Sequence, residues 1–256
     1  MANKKYFFAN WKMYLDYSES VALAEHMKNT TLPKDVGFAV FPSSLTFKGV
    51  NEVLSSSEVS TGAQNISFVE KGGYTGEVSA LMYKQTGGVY ALIGHSERRH
   101  LFGESNHDVR KKMESAISAE LIPVLCVGET EAQRAEDETK KVLETQLESA
   151  LESLDFLNVK ELFVAYEPVW AISKGRALEV QGKFCDPAEA EKNATYITNL
   201  ASEIIPKNIK LSVLFGGSVR ASTIEGYVSR VNIDGVLVGA ASTTIDSFLE
   251  LASVFQ

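Results

Sequence analysis

The sequence predicts an α/β chain of the single-domain (β/α)8 barrel type, and three observations carry that reading. Eight short apolar runs recur from end to end, rich in Val, Ile, Leu and Phe and without polar alternation. Strands buried on both faces of a parallel sheet look like this. Amphipathic segments separate most of these runs, the order that wraps a parallel sheet in helices. No Gly-x-Gly-x-x-Gly follows the first run, which argues against an open, doubly wound dinucleotide-binding sheet. At 256 residues and 45% hydrophobic, residues 1–256 match one barrel domain without a linker.

In chain order, the expected strands are Tyr6–Ala9, Gly37–Phe41, Val59–Ala63, Tyr90–Ile93, Ile122–Val127, Leu162–Tyr166, Leu211–Phe215 and Gly235–Val238. Between them, Val109, Met113, Ala116 and Ile117 share one helical face, as do Ile197, Leu200, Ala201 and Ile204. The second of these helices starts sharply, with Asp186 as N-cap, Pro187 in the first turn and Glu189 after it; Pro206 ends it. Glu131–Leu154 is expected as one long charged helix, with Val142, Leu143, Gln146, Leu147 and Leu151 as its apolar stripe.

A net charge of −8 gives no general attraction for nucleic acid or for an anionic membrane. The N-terminal apolar run is too short for a signal peptide, and no apolar stretch is long enough to span a bilayer. A soluble, cytoplasmic protein is expected, with the two cysteines, Cys126 and Cys185, as free thiols.

A barrel places its chemistry at the C-terminal ends of its strands. Here the first ends in Asn10-Trp11-Lys12, the fourth in Gly94-His95-Ser96-Glu97-Arg98-Arg99 and the fifth in Cys126-Val127-Gly128-Glu129. The sixth ends in Glu167-Pro168, the seventh in Gly216-Gly217-Ser218 and the eighth in Gly239-Ala240. Each has an ordinary reading alone: Lys12 as a solvated lysine, His95 as a structural imidazole, Gly216-Gly217 as a turn. Together on one rim they supply a carboxylate base, an imidazole, a fixed cation and two small-residue loops whose N–H groups suit an anion. Lys12 is expected to be the only fixed positive charge near that anion. The pattern fits proton abstraction beside the carbonyl of a small phosphorylated compound.

Asn10-Trp11-Lys12, Ile93 to Arg99, Ala165 to Ile172 and Gly216-Gly217-Ser218-Val219 resemble triosephosphate isomerases. The resemblance runs from Lys5 to near the C-terminus and takes in Gly62-Ala63-Gln64-Asn65, Tyr74-Thr75-Gly76-Glu77 and Asp234 to Gly239. It implies a TIM barrel that interconverts dihydroxyacetone phosphate and D-glyceraldehyde 3-phosphate, a step of glycolysis and gluconeogenesis, through an enediolate. Glu167 would move the proton and neutral His95 would polarise the carbonyl, roles for which this family is itself the standard example. Lys12 and Asn10 would bind and orient substrate, and Ser173, Ser218, Gly239 and Ala240 would hold the phosphate. Glu97 would organise the site from behind. Glu129 or Tyr166 would take the Trp170 indole N–H, and Ile172 and Leu237 would exclude water. No metal or organic cofactor is implied. The loop Gln64–Glu77, with Ile66, Phe68, Val69 and Tyr74, resembles the family's dimer arm, with Thr75 reaching the neighbouring site of a homodimer. A catalytically silent phosphate-binding barrel, serving as a binding or structural protein, is the alternative.

The sequence also departs from the family pattern. The lid tip is Ser173-Lys174-Gly175 where Gly-Thr-Gly is common, and the lid exit, Arg176–Asp186, is longer than usual. Phe215 stands where a tyrosine usually precedes Gly-Gly-Ser, so a latching hydroxyl is missing. Ala240 replaces the second glycine of the last loop, which keeps the N–H and narrows the allowed backbone.

Overall fold

Eight parallel strands close on themselves in sequence order. A computed structural model describes residues 4–172 and 183–255. The strands are β1 (Lys5–Asn10), β2 (Val36–Phe41), β3 (Val59–Ala63), β4 (Tyr90–Ile93), β5 (Ile122–Val127), β6 (Glu161–Tyr166), β7 (Lys210–Phe215) and β8 (Gly235–Val238). Four have the expected bounds; the other four gain a residue or two at their ends.

Among the described residues the helices are α1 (Tyr17–Lys28), α2 (Phe47–Leu54), α3 (Ala80–Gln85), α4 (Ser96–Leu101), α5 (Asn106–Ser118), α6 (Glu131–Ala135), α7 (Thr139–Leu151), α8 (Pro187–Ile204), α9 (Ala221–Val228) and α10 (Ile245–Ser253). Asp186 caps α8 by accepting the Ala188 N–H, and Pro187 occupies its first turn, as expected. The single helix expected over Glu131–Leu154 is instead two. Thr130 and Gln133 cap α6 reciprocally, Asp137 then takes a positive φ of 57°, and α7 begins at Thr139. Three consecutive acids, Glu136-Asp137-Glu138, sit at the break, and Asp is among the residues that take a left-handed backbone at least cost.

Two apolar layers follow from the strand pattern. Alternate strand residues point inward and fill the barrel with rings: Phe8 lies 4.9 Å from Tyr90 and 5.0 Å from Phe163, centroid to centroid. The intervening residues, such as Phe7, Val40, Val164 and Val213, pack outward against the helices. Side chains thus fill the barrel interior, and at the strands' C-terminal rim register sets the neighbours. Tyr166 pairs with Val127 on one side and with Phe215 on the other, so the chain beyond β6 emerges between the ends of β5 and β7.

Candidate active site

Glu167 is the first residue beyond β6, and strand pairing continues past it: its N–H donates to the Val127 carbonyl at 2.7 Å. Two glycines make room for it. A β-carbon at Gly128 would sit 1.9 Å from the Glu167 carbonyl oxygen, and one at Gly216 would sit 2.8 Å from its Cγ. Glycine is needed at both because Glu167 itself passes too close for any side chain. The carboxylate is buried, and its Oε2 accepts the Ser96 backbone N–H at 2.8 Å.

His95 caps α4. Its Nδ1 accepts the Glu97 N–H at 3.2 Å. A ring nitrogen that accepts carries no proton, so the imidazole is neutral with its proton on Nε2. Nε2 faces Glu167, 3.1 Å from Oε1, without forming a well-aligned hydrogen bond. A donor and a carboxylate thus lie side by side, as proton transfer next to a carbonyl requires.

Lys12 follows β1 with φ of 49°, a left-handed conformation unusual for a side chain with a β-carbon. Both of its peptide groups are held from outside. Its N–H donates to Asn10 Oδ1 at 3.0 Å, and its carbonyl accepts Gln64 Nε2 at 2.8 Å; the same amide also reaches the Phe41 carbonyl at 2.8 Å. The Lys12 ammonium pairs with Glu97 Oε1 at 2.9 Å. Asn10 spends its side-chain oxygen on Lys12, so a ligand would meet its NH2 donor.

Glu167, His95, Lys12 and Asn10 share one pocket of about 210 Å³, lined also by Ile172, Leu237 and the loops Gly216-Gly217-Ser218 and Gly239-Ala240. Tyr14 and Arg220 line it too. Neither was expected. Arg220 corrects the expectation that Lys12 is the only cation near the anion loops; its place two residues after Gly-Gly-Ser was the available signal. Ser218 is in the pocket, but its N–H and Oγ both donate to the Ala171 carbonyl, at 3.1 and 2.7 Å. Ser173, the lid tip and residues 176–182 of the exit lie outside the described residues.

Glu129, Trp170 and Phe215 stand behind the pocket. Of the two partners expected for the indole, Glu129 is the one used: Trp170 Nε1 donates to Glu129 Oε1 at 2.7 Å. The Tyr166 hydroxyl also donates to Glu129, at 3.2 Å, and accepts Asn193 Nδ2 at 2.8 Å. Burial raises the Glu129 carboxyl above its ordinary value, and the indole and phenol donors pull the other way. The Arg134 guanidinium covers the indole at 3.9 Å and pairs with Glu189 of α8. Burial likewise raises the Cys126 thiol well above its usual range, so it is no nucleophile.

A model of the triosephosphate isomerase family matches residues 5–255. The chain belongs to the triosephosphate isomerase family. It is 37% identical over 246 residues to the triosephosphate isomerase of Caldanaerobacter subterraneus subsp. tengcongensis, covering 95% of this chain and 96% of that one. It is 38% identical over 254 residues to that of Dehalococcoides mccartyi, with 96% of each covered. For Rhodopirellula baltica the identity is 36% over 242 residues, 93% of this chain and 92% of the other. The triosephosphate isomerase resemblance stated from Glu167, His95, Lys12 and the Gly-Gly-Ser loop therefore holds over nearly the whole chain. Among the described residues no helix is long and apolar enough to cross a membrane, and no three His, Cys, Asp or Glu side chains cluster as metal ligands would.

Proposed function

We propose that this chain interconverts dihydroxyacetone phosphate and D-glyceraldehyde 3-phosphate as an intramolecular aldose–ketose isomerase. The observation that carries the residue roles is the shared pocket of Glu167, His95 and Lys12, bounded by two small-residue loops. Glu167 removes a proton from the carbon beside the carbonyl while the Nε2–H of His95 hydrogen-bonds the carbonyl oxygen. The C–H electron pair becomes the C=C bond of an enediolate, and the carbonyl π pair moves onto oxygen. Glu167 then returns the proton to the neighbouring carbon, after the hydroxyl and oxyanion have exchanged a proton at His95. Lys12, Asn10 and the buried setting stabilise the developing charge. Gly239, Ala240 and Ser218 take the phosphate through backbone N–H groups, with Ser173 from the segment beyond Ile172. Ser218 must first release Ala171.

The unit that works is a homodimer in the cytoplasm, each subunit one barrel domain. Eight of the eleven large apolar residues exposed among the described residues follow β1 to β4: Met13, Tyr17, Leu45, Phe68, Tyr74, Met82, Leu101 and Phe102. Apolar surface concentrated on one side of a barrel marks a face that another molecule covers. The arm Gln64–Glu77 lies on that side, with Thr75 exposed. Two of its expected apolar contacts are corrected: Ile66 is buried in the chain's own core, and Val69 is half-buried. Phe68 lies under the Lys111 ammonium, 4.9 Å away, so Tyr74 is the arm's main apolar offering to a partner.

The test is turnover of D-glyceraldehyde 3-phosphate by purified protein, followed through a coupled dehydrogenase that consumes dihydroxyacetone phosphate. Rapid turnover that Glu167→Gln abolishes is expected; an inactive parent protein would overturn the assignment.

A further inference from the structure

Phe215 lacks the hydroxyl that a tyrosine would bring next to the anion loop, yet a phenol lies directly behind it. Tyr227, on α9, stacks on Phe215 with ring centroids 4.0 Å apart and planes 15° from parallel. Its hydroxyl donates to the Cys185 carbonyl at 2.6 Å. Both rings are buried, as is Cys185. On its other side Phe215 meets Gly217, where a β-carbon would be 2.5 Å from Phe215 Cζ. A continuous path thus runs from the Cys185 carbonyl through the Tyr227 hydroxyl and ring to the Phe215 ring and then to Gly217, which lines the pocket.

Cys185 stands just before the Asp186 cap of α8, and Lys183 nearby donates its N–H to the Trp170 carbonyl at 3.2 Å. The segment before α8 is therefore fixed to the residues after Glu167 on one side and to α9 on the other. A β-carbon at Gly226 would sit 3.0 Å from Pro187 Cγ, so α9 and the start of α8 are in close contact beside this bond. A carbonyl buried at Cys185 needs a donor. Among the described residues the Tyr227 hydroxyl supplies it.

We propose that Tyr227 is a positioning residue for the isomerisation, holding the phosphate loop Gly216-Gly217-Ser218 in register with Cys185 at the start of α8. It touches no reacting atom. It sets where the Phe215 ring stands, and the Phe215 ring sets where the Gly217 backbone stands. Its effect falls on phosphate recognition rather than on proton transfer at Glu167. The proposal rests on the isomerase reading above.

The experiment compares the parent protein with Tyr227→Phe and Phe215→Leu. The readouts are kcat and KM for D-glyceraldehyde 3-phosphate, the competitive inhibition constant of inorganic phosphate, and the urea midpoint. Tyr227→Phe should raise KM and the phosphate inhibition constant together, roughly five-fold, the factor set by one net hydrogen bond, with kcat little changed. Phe215→Leu keeps the hydroxyl bond and removes only the stacked ring. It should move the same two constants in the same direction, and it decides the question if Tyr227→Phe does not fold. A lowered urea midpoint with both constants unchanged would make Tyr227 a packing residue only and overturn the proposal. An inactive parent that still binds inorganic phosphate by calorimetry would sink the isomerase reading instead, and the calorimetric affinities of the two variants would then test the Tyr227 path independently.

Discussion

Oε2 of Glu167 accepts the backbone N–H of Ser96 at 2.8 Å, so the carboxylate is parked against the start of α4. A carboxyl group held by a backbone donor is oriented, and as the proposed base it must leave that donor to reach a substrate carbon. The length of its side chain therefore sets whether both positions can be reached.

Glu167→Asp withdraws the carboxylate by one methylene while keeping its charge. A misplacement of about 1 Å costs roughly 100-fold in rate, so kcat should fall by at least that much while KM changes little. Steady-state kinetics on the purified variant check this. A near-normal kcat would place the base elsewhere.

Glu129 gives a pH signature. Burial raises its folded carboxyl above the unfolded value of 4.5. A raised carboxyl binds its proton more tightly when folded, so stability is lost as pH rises from that value through the elevated one. Glu129→Gln has no proton to lose, and its side-chain oxygen can still accept the Trp170 and Tyr166 donors. Its stability relative to the parent should therefore grow between pH 4.5 and neutrality. Urea midpoints across that window measure the trend. A constant difference would contradict the raised carboxyl.

A buried ionic cluster fastens the loop Gln64–Glu77 to the barrel. Lys112 pairs with Glu104, which also takes Arg98 at 2.9 Å, and the same ammonium reaches Asn65 Oδ1 at 2.7 Å. Desolvation lowers the Lys112 ammonium, and Glu104 opposes that shift. Lys112→Ala removes one side of a buried pair and should cost about 3 kcal/mol of folding stability. Combining it with Glu104→Gln should cost less than the two single changes added together, because both act on one cluster that also holds Arg98. Denaturant titration of the single and double variants tests the coupling.

Assembly can be tested at Tyr74, half exposed on the arm. Tyr74→Asp should weaken self-association roughly 30-fold, as loss of an aromatic anchor at an interface does. Sedimentation over a dilution series reads the change. A parent that sediments as a fully active monomer at every concentration would remove the dimer altogether.

All eight strands were legible in the sequence because buried parallel strands are unbroken apolar runs. The residues missed at their ends include Lys5, Glu161 and Lys210, whose charges lie at the barrel's lower mouth. There Lys210 pairs with Glu161, and the Tyr6 hydroxyl donates to the same carboxylate. Charged residues that join a strand for such pairings do not register as apolar runs. The break between α6 and α7 was missed because the stripe from Val142 to Leu151 says nothing about the backbone at Asp137. At the site, the strand-end residues whose side chains meet in the pocket were legible: Glu167, His95 and Lys12. Gln64 and Ser96 were not, since each acts through a hydrogen bond to or from the backbone of a distant segment, and no residue type announces such a contact.

Lys12 has one more implication. Its positive φ is a conformation glycine would adopt without penalty, and a left-handed residue costs about 1 kcal/mol or more in any other side chain. Lys12→Gly should therefore unfold at least as high in urea as the parent while isomerising far more slowly, because the ammonium is gone. Directed evolution scored by heat resistance alone would be drawn to that replacement and would deliver a hardier, inert barrel. Any campaign to toughen this protein needs turnover in its selection from the first round.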